Sequence, residues 1–263
     1  MSEGLEKELE RIKEEYARRD SSGVLKMYSY QNPAFTFHMK ERERAILKML
    51  RRENINLSAC DVLEVGCGTG HILQRFLEFG ARTATGIDLM PNRIEEGDKS
   101  YPRLKLSQGD ASHLPFESNQ FDLVMQFMCL SSVLDSNMRK QIANEMWRVL
   151  KPGGNILFYD MKPGTYMHGL VFKLIGLFRG VLKKLRRTAA EVKKENIQIE
   201  RDTPIHLFDL GEIKDLFPQG SMHSQSVSLD FKLASLAGKS YFFASILSCL
   251  PFLRTHYLVI IRK

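Results

Sequence analysis

Three glycines at alternate positions, Gly66, Gly68 and Gly70, separate a strand-forming run from a helical one. Val62-Leu63-Glu64-Val65 suits a buried strand carrying one acid, and Ile72, Leu73, Phe76 and Leu77 follow at helical spacing. A strand, a glycine turn and a helix in that order open a nucleotide-binding α/β sheet, with the ligand at the strand's carboxyl end. Without a Cβ, the glycines let the backbone turn sharply and approach a ligand closely.

The spacing restricts the ligand. A dinucleotide loop reads G-x-G-x-x-G, but the position of its third glycine is occupied here by His71. The Gly-Lys-Ser/Thr ending of a phosphate-cradling loop is also missing. Glu64, two residues before the first glycine, would repel a pyrophosphate and suits a ligand with an ammonium group. S-adenosylmethionine (SAM) carries an ammonium, a sulfonium and no phosphate.

Further strand ends carry acids in the order this reading requires. Ala84 to Leu89 reads as a second strand, and Asp88 at its end, 18 residues after Gly70, is placed to accept from both ribose hydroxyls. Leu104 to Ala111 reads as a third, with Asp110 a candidate acceptor from an adenine amino group and Leu89 and Met90 a sandwich for the ring. Phe121 to Phe127 is a fourth strand. A helix over about 137–150 leads through Lys151-Pro152-Gly153-Gly154 into a fifth, Asn155 to Tyr159.

These segments resemble the class I SAM-dependent methyltransferases, in particular the branch containing the ubiquinone and menaquinone C-methyltransferases. The matching residues are EVGCGTG (64–70), GID (86–88), GDASHLPF (109–116), FDLV (121–124) and RVLKPGG (148–154). The resemblance implies a Rossmann-like α/β fold: a seven-stranded, mostly parallel sheet with helices on both faces and an antiparallel C-terminal hairpin. It also implies SAM as cofactor. Glu64, Gly66, Cys67, Gly68 and Gly70 would line the methionine and ribose side, Asp88 the ribose, Asp110 and Ala111 the adenine, and Gln126 the reacting end. The chain departs from many relatives after the fourth strand, with Leu130-Ser131-Ser132 where they place a pair of histidines.

Outside this core, charge is unevenly distributed. Between Lys162 and Arg201 there are ten Lys or Arg and three Glu, a net +7 that equals the net charge of all 263 residues. The remainder is neutral, which argues against a nucleic-acid binder with a broad basic face. Within the segment, Met167, Leu170, Val171, Leu174, Phe178, Val181, Leu182 and Leu185 recur at helical spacing, with Lys183, Lys184, Arg186 and Arg187 clustered at the end. This basic amphipathic helix (166–187) packs its stripe on the core, touches an anionic membrane surface, or closes over a lipid-linked or acidic acceptor. The expected organisation is an N-terminal helical cap (1–53), a SAM-binding core (54–161), a lid insertion (162–204) and a C-terminal completion of the sheet (205–263). The four scattered cysteines predict neither a disulfide framework nor a zinc site, and point to a reducing, cytoplasmic compartment. The longest apolar run, Tyr241 to Leu253, is too short to cross a bilayer.

The N-terminal segment Glu3 to Arg19 reads as a charged, largely solvated helix. Tyr28 and Tyr30, in the aromatic stretch after it, are candidates to contact cofactor or substrate. Transfer to a hydroxyl needs a proton acceptor. His206, just after the basic segment, is the leading candidate, and His38 the next. No base-amino methyltransferase motif follows the fourth strand, where Gln126-Phe127-Met128-Cys129 stands. The expected activity is methyl transfer to a small-molecule hydroxyl that is sugar-linked, lipid-linked or from a secondary pathway. C-methylation of a quinone-like ring and a non-catalytic SAM-binding protein are the alternatives.

Overall fold

The β-branched and aliphatic runs form one seven-stranded sheet, seen in a computed structural model that describes residues 3–21, 29–164, 204–235 and 240–263. The strands are β1 (Asp61–Val65), β2 (Thr83–Asp88), β3 (Lys105–Gln108), β4 (Phe121–Phe127), β5 (Leu150–Met161), β6 (Ser221–Leu229) and β7 (Arg254–Arg262). Their order across the sheet is β3-β2-β1-β4-β5-β7-β6. All are parallel except β7, which runs antiparallel to both neighbours, as the family resemblance implies. The order reverses at β1, which lies between β2 and β4, so a crevice is expected outside the carboxyl ends of β1 and β4.

The helices among the described residues are α1 (Glu3–Ser21), α2 (Pro33–Arg52), α3 (His71–Glu78), α4 (Pro91–Ser100), α5 (Ser136–Val149), α6 (Leu210–Leu216), α7 (Phe231–Ala234) and α8 (Tyr241–Ser248). On one face of the sheet, Leu63, Val65, Ile87, Val124, Ile156 and Phe158 pack with α1, α5 and α6. On the other, Val62, Leu123, Met125, Phe127, Leu157 and Tyr159 pack with α2 and α3. The strand alternation that puts Leu63 and Val65 on the first face puts Glu64 on the second.

Helix α1 differs from the solvated element its charges suggested. Leu5, Leu9, Ile12 and Tyr16 fall on one stripe that joins the main core, while Glu and Lys cover the opposite side. Four apolar side chains at helical spacing were enough to bury that face. Helix α2 starts at Pro33 with Asn32 accepting from the Ala34 N–H, a capped entry that fixes where the helix begins.

Two buried imidazoles join α2 to the edge of the sheet. His38 Nε2 donates to the Leu229 carbonyl, and the His256 ring stacks on Tyr159 with centroids 4.7 Å apart. Burial holds the His38 pKa down to about 4 and that of His256 to about 3, against an ordinary 6.5. Both rings are neutral in the fold and take up protons on unfolding below pH 6.5. Their contribution is therefore present above that pH and is lost as pH falls toward the folded values, by about 2 kcal/mol per imidazole at pH 5. His38→Gln keeps an amide donor for Leu229, and is expected to lose less stability than the parent between pH 7 and 5. Urea unfolding at the two pH values checks this, and identical losses would contradict it.

Candidate active site at the carboxyl edge of the sheet

The three glycines of the loop are required for different reasons. All lie at positive φ, +72° at Gly66, +54° at Gly68 and +77° at Gly70. A Cβ on Gly66 would come within 2.5 Å of Cys129 Sγ, and one on Gly70 within 2.6 Å of Leu104 Cδ1. A Cβ on Gly68 would meet only the Arg93 guanidinium, at 3.9 Å, so this glycine marks the open side of the turn. The Gly66 and Cys67 N–H groups both donate to the Ile87 carbonyl, at 2.8 and 3.0 Å, and tie the loop to β2. The Cys67 side chain turns inward and fills the space that Gly86 leaves by lacking a Cβ. Burial pushes its thiol pKa up, so it is an inert packing group.

Asp88 closes the loop from the next strand. Its two oxygens accept from the Gly68 N–H at 2.7 Å and the Met90 N–H at 2.9 Å. A carboxylate has about four acceptor positions, so roughly two remain for a ligand's hydroxyls. Leu89 and Met90 continue from it, half-buried, into α4. Asp110 is similarly half-spent, accepting from the Ser112 N–H and hydroxyl, each at 2.8 Å, with Ala111 half-buried in the same turn.

Glu64 is 1% exposed and lies below the loop. Burial pushes its carboxyl pKa well up, and Asp88 adds to the effect. The charge of Arg42 and the Leu73 N–H at the start of α3 oppose it. Glu64 Oε2 has no hydrogen-bond partner among the described residues, and neither does Arg42 Nε. The Arg42 guanidinium reaches this place from α2 and sits over the rings of Phe127 and Tyr159, at 5.4 and 5.5 Å. A buried acceptor left unsatisfied costs about 1–3 kcal/mol, which a bound ammonium would recover.

The segment after β4 forms the neighbouring wall. Met128 takes φ +60°, a left-handed conformation that costs a non-glycine residue about 1–2 kcal/mol. Gln126 is 0% exposed and committed within the protein: its oxygen accepts from the Cys129 N–H at 3.0 Å, and its amide donates to the Tyr159 carbonyl at 3.3 Å and to the Asp160 carboxylate. It holds the shape of the segment from behind. Asp160 accepts from the Ser131 N–H at 3.0 Å, and burial raises its pKa to about 7. Helix α1 spans the edge above: Arg11 donates to the Ser132 carbonyl, the Tyr16 hydroxyl pairs with Ser132 Oγ, and Arg93 lies over the Tyr16 ring while bonding Asp20.

His206 joins this wall at its far side. Its N–H donates to the Ser131 carbonyl at 2.8 Å, and its Nε2 lies 2.7 and 2.8 Å from the two oxygens of Glu212. His38, by contrast, is held between α2 and β6 with its Nε2 given to Leu229 and its ring against Phe231, a packing role. Tyr30 is 53% exposed and bonds His71, the residue after Gly70, at 2.9 Å. Tyr28 and the basic helix 166–187 lie outside the described residues.

The structure adds Arg42, Tyr16, Arg93 and Glu212, which the sequence did not single out. Arg42 is hidden in the charged run Lys40-Glu41-Arg42-Glu43-Arg44 and Tyr16 in a charged helix. Glu212 had one weak signal, its place six residues after a histidine at the start of a helix. Arg148 of the RVLKPGG segment is structural: it bonds Glu145 and the carbonyls of Leu114 and Phe116, bracing the 110–116 turn.

Comparison with known proteins agrees with this geometry. Residues 62–154 match the methyltransferase domain family. The chain is 32% identical over 173 residues to the demethylmenaquinone methyltransferase of Staphylococcus aureus, covering 61% of this chain and 68% of that protein. It is 33% identical over 105 residues to a sterol 4-C-methyltransferase of Caenorhabditis elegans, covering 38% of this chain but only 30% of that protein. A SAM-dependent methyltransferase structure from Mesorhizobium loti superposes with a TM-score of 0.55 at 18% identity, over 83% of this chain and 98% of the other. The glycine turn, the strand-end acids and these likenesses converge: the chain belongs to the class I SAM-dependent methyltransferases, with S-adenosylmethionine as its cofactor.

Proposed function

We propose that the chain methylates a hydroxyl of a small, lipid-like acceptor, with His206 taking the proton. The cofactor supplies an electrophilic methyl group on sulfur. Glu64 and the Gly66–Gly70 turn would hold its methionine and ribose part, Asp88 the ribose hydroxyls, and Asp110 and Ala111 the adenine between Leu89 and Met90. Tyr28 and Tyr30 would contact the cofactor or the acceptor. Under this reading residues 1–53 form the cap, 54–161 the cofactor core, 162–204 the cover of the acceptor and 205–263 the completion of the sheet.

The observation that carries the hydroxyl assignment is the His206–Glu212 pair on the segment after β4. Glu212 accepts from Nε2, which leaves Nδ1 of the neutral ring as the lone pair able to take a proton. That pairing fixes one tautomer and one ring orientation, as an oriented base requires. Alignment and exclusion of water would supply much of the rest of the rate.

The relatives favour a second reading. The names of the bacterial and nematode relatives specify demethylmenaquinone and a sterol 4-C position, so C-methylation of a lipid-like acceptor is the alternative. Incubation with methyl-labelled SAM and a lipid extract, followed by NMR of the labelled product, separates an O-methyl from a C-methyl group.

Two further results are expected. Asp88→Ala should weaken S-adenosylhomocysteine binding by about 1–3 kcal/mol, the range for charge-assisted hydrogen bonds; unchanged affinity by calorimetry would remove Asp88 from the pocket. His206→Ala should lower kcat by about 10²-fold or more with cofactor affinity intact, and Glu212→Gln should alter the pH profile of kcat as well as its size. Full activity in the His206 variant would leave the transfer without this base.

A further inference from the structure

We infer that α8 is a membrane-docking surface, an apolar patch that seats this edge of the protein on an anionic lipid bilayer. The helix carries Ser245 and Ser248 beside Tyr241 on one side and apolar residues on the rest. Its inner side places Ala244 in a small satellite core with Ala34, Phe37, Leu229, Leu233, Ala234 and Leu253. Its outer side leaves Phe242 at 75% exposure, Phe243 at 53%, Ile246 at 47% and Leu250 just beyond at 38%. At helical spacing Phe242, Phe243 and Ile246 fall within an arc of about 100°, so they form one patch. Single exposed apolar residues are ordinary, but a contiguous aromatic and aliphatic cluster marks an interaction surface.

Charge selects the occupant. From Phe231 to Arg254, the span that carries α7, α8 and the start of β7, the chain has three Lys or Arg and no Asp or Glu. Lys162 bonds the Pro251 carbonyl at 3.3 Å, Arg254 bonds the Ser248 carbonyl at 2.6 Å, and Lys40 lies 5.8 Å from the Tyr241 ring centre, so cations border the apolar patch. The two acids beside this core are spent on backbone groups, Asp230 capping α7 and Glu41 accepting from the Leu229 N–H at 3.0 Å. A second copy of the chain would bring the same cations against these. An anionic lipid surface answers both features, apolar side chains entering the acyl boundary and basic ones meeting headgroups. A helix of this length lies on the bilayer, and among the described residues no helix is long and apolar enough to cross it.

Position gives the contact a use. Helix α8 connects β6 to β7, and β7 begins opposite the carboxyl ends of β5 and β6, where His256 pairs with Met161 and Arg254 with Leu229. The glycine turn leaves β1 at the same edge of the sheet. Docking through α8 would therefore turn the open edge toward the lipid, whatever atom of the acceptor is methylated.

The test is flotation of the full chain with phosphatidylcholine vesicles, with and without phosphatidylglycerol. Binding to the anionic vesicles is expected, reduced by high salt, and lowered about tenfold or more in Phe242→Ser/Phe243→Ser/Ile246→Ser. The variant should keep the parent's Tm and S-adenosylhomocysteine affinity. Three results would each overturn the proposal. The parent could fail to float with either vesicle. The variant could float as well as the parent. Or the variant could lose Tm or a concentration-dependent dimer without lipid, meaning that the chain itself or a second copy covers the patch.

Discussion

The buried carboxylate of Glu64 is the constraint around which the site is built. A carboxyl at 1% exposure between Val62 and the glycine turn is expensive to ionise, and burial duly raises its pKa. The nearest compensation in the protein is incomplete, because Glu64 Oε2 and Arg42 Nε both lack hydrogen-bond partners among the described residues. A strand position of this kind is better filled by valine unless something cationic binds there. The surrounding elements follow from the need to hold that acid beneath a backbone turn open to a ligand on one side.

The turn is held from three directions. From β2, Ile87 and Asp88 accept from Gly66, Cys67 and Gly68. From the segment after β4, Cys129 packs so tightly on Gly66 that no side chain fits. From above, α1 links the post-β4 segment to α4 through Ser132, Tyr16, Arg93 and Asp20. These contacts fix the crevice before any ligand arrives, which is what alignment-driven catalysis requires. His206 and Glu212 reach the same segment from a distant part of the chain, through the Ser131 carbonyl.

Much of this was legible in the sequence because it is local. Strand, glycine turn and helix sit within 20 residues, and each acid lies near the carboxyl end of its strand or just beyond it, so alternation and spacing were enough to place Glu64, Asp88 and Asp110. The order of the outer strands came from the family resemblance. What stayed hidden depends on contacts between distant segments. Charged residues dominate α1, so its buried stripe of Leu5, Leu9, Ile12 and Tyr16 looked like the minor part of a solvated helix. Gln126 read as a ligand contact at the end of β4, yet its amide is spent on backbone groups and on Asp160, partners that no linear pattern reveals. His206 and His38 ranked first and second in sequence on chain position alone, each a lone histidine. Only the fold shows one sealed against Leu229 and the other paired with Glu212.

The most direct test of the account is calorimetry of SAM binding in buffers of different ionisation enthalpy. Burial raises the Glu64 pKa and a bound ammonium favours the ionised form, so binding should release protons where the free carboxyl is partly protonated, and Glu64→Gln should bind more weakly without that release. Equal affinity and an equal proton count in parent and variant would contradict the central claim that this carboxylate holds the cofactor.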